Sequence, residues 1–300
     1  MEAELVVNSK SILGEGPVWH QGLQKLFWVD IEGRKIHIFD PKNGHTNSHQ
    51  FTKMPGALVP RDYHNLLIAF DDGLAIYNWH TKHLKYKNGL GKKTPNIRAN
   101  DGKCDPNGNF WIGTMHKGLE PNAGALYRFN PDFELSLQVP DRTISNGLAW
   151  SKDGTTMYYI DTGDRYVSAY DFDLDTSQIS NKRIVFEIDP EMGSPDGMAI
   201  DSEDNLWIAH WGGFCVRQWD PRSKKILNTV HLPVPHVTSC AFGGPKLDDL
   251  YITTARSGLT EEQLTNFPLS GGIFKVKPGV IGRPTIFFES NSSSNLHESV

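Results

Sequence analysis

The sequence predicts an all-β fold, a six-bladed β-propeller with four antiparallel strands per blade and a metal site in its central channel. Three observations carry this. A β-patterned phrase recurs six times at about the length of one blade, amphipathic helix patterns are nearly absent, and oxygen-bearing side chains recur in phase with the phrase.

The phrase is an aromatic–aliphatic run closed by a turn. It reads Leu26–Asp30, Leu66–Phe70, Phe110–Gly113, Met157–Asp161, Leu206–Ala209 and Leu250–Thr253. Taking Trp28, Leu67, Trp111, Tyr158, Trp207 and Tyr251 as markers gives steps of 39, 44, 47, 49 and 44 residues. A period of roughly 20–50 residues is the signature of solenoids and propellers. A third strand follows each marker: Lys35–Phe39, Leu74–Tyr77, Ala125–Phe129, Tyr166–Tyr170, Cys215–Trp219 and Gly272–Val276. Alternation in most of these runs suits a pleated sheet with two differently packed faces.

A first strand precedes each marker by about a dozen residues. Several first–second pairs are joined by turns rich in Asp, Asn and Gly, namely Asp105–Asn109, Ser151–Gly154 and Asp201–Asn205. These residues accept positive φ or bond back to their own backbone, as tight reversals require. Within Gly258–Leu264 a short helix can start at Thr260 as N-cap, inside the last blade. One domain over residues 1–300 is expected, its tail from Asn291 to Val300 frayed. A β-sandwich is the competing all-β fold, but it needs no repeat at this period.

Hydrophobic residues make up 38% of the chain and the formal charge is −5. Mean hydropathy is −0.43. A sizeable core is therefore affordable, and no basic footprint suggests nucleic acid. No run approaches the roughly 18 apolar residues of a membrane span, and acids at Glu2 and Glu4 argue against a secretory leader. Cys104, Cys215 and Cys240 are an odd set without a C-x-x-C, which fits free thiols in a reducing cytoplasm. No obligate protein partner is implied.

Several short signatures fail. Gly14-Glu15-Gly16 lacks the third glycine and the strand–helix context of a dinucleotide loop, and Gly91-Lys92-Lys93-Thr94 lacks the spacing of a phosphate loop. Asp171–Asp175 resembles the start of an EF-hand, but Thr176 stands where Gly is needed and Lys182 where Glu is needed. It reads as a strand end with solvated acids. G-x-S-x-G and H-E-x-x-H are absent. The twelve histidines show no ligand spacing, so His210 and His236 are expected as hydrogen-bonding side chains. Cys104 and Cys240 are expected as buried, inert thiols.

The informative feature is the residue opening each first strand, because these innermost strands line the channel. Eleven to thirteen residues before the markers stand Glu15, Asn100, Asn146, Asp196 and Ser239, with Pro55 or Gly56 in the second blade. Singly, Asn-Gly and Asp-Gly read as turn dipeptides. That reading accounts for the glycines but not for the phase. Glu15, Asn146 and Asp196 together form an all-oxygen set suited to Ca²⁺, Mg²⁺ or Mn²⁺, and less to Zn²⁺.

Four phrases now stand out. They are Leu13–Trp19, Arg98–Pro106, Ile144–Ser151 and Pro195–Asp201, continued by Thr238–Gly244 and Gly271–Phe274. In this order the chain resembles the regucalcin (senescence marker protein)/gluconolactonase/luciferin-regenerating enzyme family over nearly its whole length. The resemblance implies one divalent ion in the channel, Ca²⁺ first with Mn²⁺, Zn²⁺ and Mg²⁺ as alternatives, and hydrolysis of a small sugar-acid lactone. It places the metal on Glu15, Asn146 and Asp196, and substrate oxygens on Arg98 and Asn100. Glu120 falls where the family has another substrate-contacting acid, in a segment whose sequence departs from the animal members. Met115 could line the same pocket.

Opening a cyclic ester needs a water nucleophile and stabilisation of an oxyanion. Asp196 is the natural general base beside a metal, and Arg98 and Asn100 can orient a polyhydroxylated ring. The rival readings are a calcium-binding regulatory propeller, a scaffold using its rim, and a propeller hydrolase acting on another ester-like substrate.

Overall fold

The computed structural model describes residues 1–87, 89 and 96–289. The Gly91–Thr94 segment and the tail from Asn291 lie outside the described residues. Six four-stranded antiparallel sheets make up the described chain. Blade one holds β2 (Gly14–His20), β3 (Lys25–Asp30), β4 (Lys35–Asp40) and β5 (His45–Gln50). Blade two holds β6 (Pro55–Pro60), β7 (Asn65–Phe70), β8 (Gly73–Asn78) and β9 (Leu84–Tyr86). Blade three follows with β10 (Ile97–Cys104), β11 (Phe110–His116), β12 (Gly124–Phe129) and β13 (Leu135–Arg142).

Blade four holds β14 (Ser145–Trp150), β15 (Thr156–Asp161), β16 (Tyr166–Phe172) and β17 (Ile179–Glu187). Blade five holds β18 (Ser194–Ile200), β19 (Leu206–Trp211), β20 (Cys215–Asp220) and β21 (Lys225–His231). The last blade combines β22 (Val237–Gly243), β23 (Asp249–Thr254) and β24 (Ile273–Val276) with β1 (Glu4–Val7) from the other end of the chain, paired antiparallel to β24. Every marker lies on the second strand of its blade. The sequence reading did not find β1, a four-residue strand without a marker. It closes the ring by pairing ends that no local pattern connects.

The inner strands β2, β6, β10, β14, β18 and β22 each contact their two neighbours around the channel. The core lies between blades. Trp19 stacks on Tyr251 with ring centroids 5.7 Å apart, and Phe186 on Trp219 at 4.4 Å. Outer strands are largely exposed, as in β5. The expected helix forms as α1 (Glu261–Asn266) inside the last blade, with Thr260 and Gln263 in a reciprocal capping box. Cys104, Cys215 and Cys240 are buried and unpaired. Burial pushes the Cys240 thiol up to about 12 and the Cys215 thiol to about 11. Asp171 ends its strand in solvent beside Arg183 at 2.6 Å, as read from the sequence.

Residues 282–289 run across one end of the channel, touching every blade. Gly282 donates to the Leu247 carbonyl and Arg283 to that of Trp150, while Phe288 donates to Pro60 and Glu289 to Gly108. The Thr285 carbonyl accepts from Gln21, and Ser202 N donates to the Ile281 carbonyl. The strap leaves the opposite end as the mouth. Among the described residues no helix is long and apolar enough to cross a membrane.

Candidate active site

Each inner strand breaks register with its neighbour at the same place. The shift falls between Glu15 and Val18, Pro55 and Ala57, Ala99 and Gly102, Ser145 and Leu148, Pro195 and Met198, and Val237 and Ser239. A bulge of this kind bends a strand and re-aims its side chains. Glu15, Asn100, Asn146, Asp196 and Ser239 all lie at or within these breaks.

The glycine after the bulged residue is therefore not a turn residue. A Cβ on Gly147 would stand 2.9 Å from the Asp196 carbonyl oxygen, and one on Gly56 would stand 2.5 Å from the Ala99 carbonyl carbon. On Gly197 it would meet Ser239 of the next blade. These glycines let adjacent inner strands approach, and Gly16 alone of the set uses a left-handed φ of 50°.

Second-strand aspartates hold the approach to two of the bulges. Asp30 accepts from Ile12 N and Leu13 N, both at 3.0 Å, just before Glu15. Asp161 does the same for Thr143 N and Ile144 N at 2.8 and 2.9 Å, just before Asn146. Both aspartates close marker phrases, so the recurring Asp has a positioning use that the sequence reading did not assign.

The bulges bring one buried polar layer together. Glu15, Asn146 and Asp196 are 6%, 3% and 6% exposed, and Arg98 and Asn100 are buried with them. Arg98 Nη1 donates to Asn100 Oδ1 at 2.6 Å. Asn100 Nδ2 donates in turn to Asn146 Oδ1 at 2.9 Å and to the Ser145 carbonyl at 3.0 Å. Asn146 Nδ2 donates to Thr162 Oγ1 at 2.8 Å, and that hydroxyl donates to the Pro195 carbonyl at 2.8 Å, next to Asp196. Thr162 was missed, since its only sequence signal is its place after the blade-four marker phrase.

Charge in this layer is crowded. Burial and then the neighbouring Asp101 carboxylate push the Glu15 carboxyl up to about 8. Burial, then Glu15 and Asp101, hold Asp196 well above the usual carboxylate range. Arg98 opposes both shifts. Asp101, next to Asn100 in the bulge, carries no sequence signal of its own, since a strict alternation places only one of the two toward the channel. Among the described residues no group of three or more His, Cys, Asp and Glu side chains could hold a metal. An ion here would need the Asn146 amide oxygen beside the two carboxylates, which is a hard donor set.

Other expected residues lie apart. Glu120 has a side chain 68% exposed and stands 3.8 Å from His116 on a loop. Met115 is buried and its backbone bridges to Ile144. His210 is fully buried and its ring is pushed down to about 3, chiefly by burial. His236 stacks on Trp211 at 4.0 Å and donates from Nδ1 to the Ser257 carbonyl. Neither histidine joins the layer. A separate cavity of about 280 Å³ lies toward the strapped end, lined by Val18, Val59, Cys104, Trp150 and Ile286 among others, and by none of Glu15, Asn146, Asp196, Arg98 or Asn100. Its walls are mostly apolar, so the polar layer is the better candidate for chemistry.

A six-bladed ring with a buried carboxylate–amide layer in its channel defines the class. Residues 13–256 match the SMP-30/Gluconolactonase/LRE-like region, and the chain belongs to that family. It is 37% identical to a putative sugar lactone lactonase of Bacillus subtilis, over 92% of this chain and 95% of that one. It is 38% identical to regucalcin of Danio rerio, over 95% and 97%. A solved structure of a calcium-binding regucalcin from Agrobacterium tumefaciens superposes with a TM-score of 0.92 at 28% identity, covering 96% of this chain and 97% of that one.

Proposed function

We propose that the chain is a divalent-metal-dependent lactonase that opens sugar-acid lactones to the free acids. The observation that carries this is the buried pair Glu15 and Asp196, with Asp101 close by, at the head of a channel. Burial disfavours three ionised carboxylates together, and Arg98 offsets this only in part, at Glu15 and Asp196. A divalent cation suits the pair and the Asn146 amide oxygen, whose nitrogen is already spent on Thr162. The family membership and the lactonase relative support the same reading.

Glu15, Asn146 and Asp196 would hold the ion. When bound, it supplies polarisation of the ester carbonyl and a lowered pKa for water. The chain's own residues do the rest. Asp196 takes the proton of the water that adds to the carbonyl carbon, and returns it to the ring oxygen as the C–O bond breaks. Arg98 has Nη1 committed to Asn100 and directs its other donors at substrate oxygens, while Asn100 fixes both Arg98 and Asn146. Glu120 would contact substrate only if its loop turned inward.

The test is acid release from a panel of aldonolactones by protein stripped with chelator and reloaded with Ca²⁺, Mn²⁺, Zn²⁺ or Mg²⁺. Turnover restored by at least one ion is expected. No lactone opened above its spontaneous rate under any ion would overturn the proposal.

A further inference from the structure

The cavity toward the strapped end takes no part in the hydrolysis proposed above. It occupies about 280 Å³, and the residues placed on metal and substrate do not line it. Val18, Val59, Ile200, Ala241 and Phe242 of the inner strands form its walls, and Ile286 of the strap lies across it. Val18, Ile200 and Ala241 keep partial exposure although they lie on the innermost strands, so they border open space. The cavity also reaches the surface. Pro106, Lys152 and Leu174, on turns of blades three and four, line it beside the strap, and Leu174 is 41% exposed. The strap therefore leaves an entrance on that side.

Charge along the walls is balanced, and hydrogen-bond donors are in surplus. Lys103 leaves blade three and crosses to blade five, where Nζ donates to the Met198 carbonyl at 2.7 Å. An ammonium has three N–H donors, and among the described residues that carbonyl is the one acceptor it meets. Asp101 lines the same cavity, Lys152 and Asp153 stand side by side at its rim, and Arg283 is paired with Asp204. A charged ligand would therefore meet no net opposite charge. Water fits the rest of the space poorly, because a buried water needs about 2–4 polar partners and most of this wall offers none. Weakly held water is displaced with a gain when apolar surface takes its place. A dry cavity of about 150 Å³ is enough for benzene, so 280 Å³ suits two rings.

We propose that this cavity is a second binding site, open at the strapped end, for an uncharged molecule of two fused apolar rings carrying one hydrogen-bond acceptor. The rings lie against Val18, Ile200 and Phe242, and the acceptor takes a hydrogen bond from Lys103 Nζ. The site is independent of the metal reading, since its walls hold none of Glu15, Asn146 and Asp196.

Calorimetric titration of 2-acetonaphthone, two fused rings with one ketone, into the full chain tests it. Wild type should bind one molecule per chain with a Kd on the order of 10–100 µM. Ala241→Phe fills the space and should weaken binding by about tenfold or more. Lys103→Met keeps the wall but removes the donor, and should weaken binding by about two- to tenfold. 2-Naphthoate, of similar shape but with a full negative charge, should bind no tighter than the ketone. Chemical unfolding checks that both variants are folded.

No saturable binding by wild type overturns the inference, as does binding that Ala241→Phe leaves unchanged, which puts the probe elsewhere. Equal affinity in Lys103→Met, or tighter binding of the naphthoate, overturns the ligand class and the proposal with it. Should Ala241→Phe fail to fold, a crystal of wild type soaked with 6-bromo-2-acetonaphthone reads the site directly. Bromine located by anomalous scattering between Val18, Ile200 and Ala241 is expected, and bromine anywhere else overturns the inference.

Discussion

Replacing Thr162 by Val tests how the ring turns sequence phase into a site. The substitution keeps the side-chain shape and removes one hydroxyl. That hydroxyl accepts from Asn146 Nδ2 and donates to the Pro195 carbonyl, both at 2.8 Å, so it ties the amide of blade four to the strand that carries Asp196. Losing it strands a buried amide donor and a carbonyl, which costs about 1–3 kcal/mol of stability. Asn146 is also freed to rotate its oxygen away from the carboxylates. Partners that orient a metal ligand are worth roughly 10–100-fold in affinity, or about 1.4–2.8 kcal/mol. Calorimetric titration of Ca²⁺ or Mn²⁺, beside denaturant unfolding of the metal-free chain, separates the two effects. Thr162→Ser keeps the hydroxyl and should bind within a few-fold of wild type. A folded Thr162→Val protein with wild-type cation affinity would refute the claim that this bridge orients Asn146.

Other predictions follow from the same geometry. Asp196→Asn should lower lactone turnover by about 10²–10⁴-fold, the usual range for a general base, and chemical unfolding should show that the protein remains folded. Cation affinity should rise with pH: Glu15 is raised to about 8 and Asp196 is raised as well, so ions compete with protons below that value and displace fewer as it is approached. By the same sign, the metal-free fold gains from these two raised carboxyls at low pH. It should lose that contribution as pH climbs from the ordinary carboxylate range through about 8, which a pH series of unfolding curves would read. Gly197→Ala would place a Cβ 2.5 Å from Ser239 Cβ and 2.9 Å from its Cα, and should cost at least about 1–3 kcal/mol in unfolding free energy. A neutral outcome there would deny that adjacent inner strands are in contact at the bulge.

The six blades were legible because each repeats one local instruction, an apolar strand pair, closed in several of them by an Asp- or Asn-rich turn. Closure by Glu4–Val7 was not, since its partner Ile273–Val276 lies at the far end of the chain and only the ring brings them together. Glu15, Asn146 and Asp196 could be picked out by counting because the bulge recurs in phase. The bulge itself could not, because it is fixed by the approach of the next blade, as at Gly197 and Ser239. The same bulge hid Asp101, which shares the channel with its chain neighbour Asn100. Loop residues gave least. Glu120 was placed by resemblance, and its position depends on a segment with no strand period to anchor it.

The most direct test of the central claim is a crystal of the Mn²⁺-loaded protein soaked with an aldonic acid, with the ion located by anomalous scattering. One ion is expected between Glu15, Asn146 and Asp196, with the sugar acid against Arg98 and Asn100. An ion bound elsewhere, or the sugar acid in the cavity at the strapped end, would contradict it.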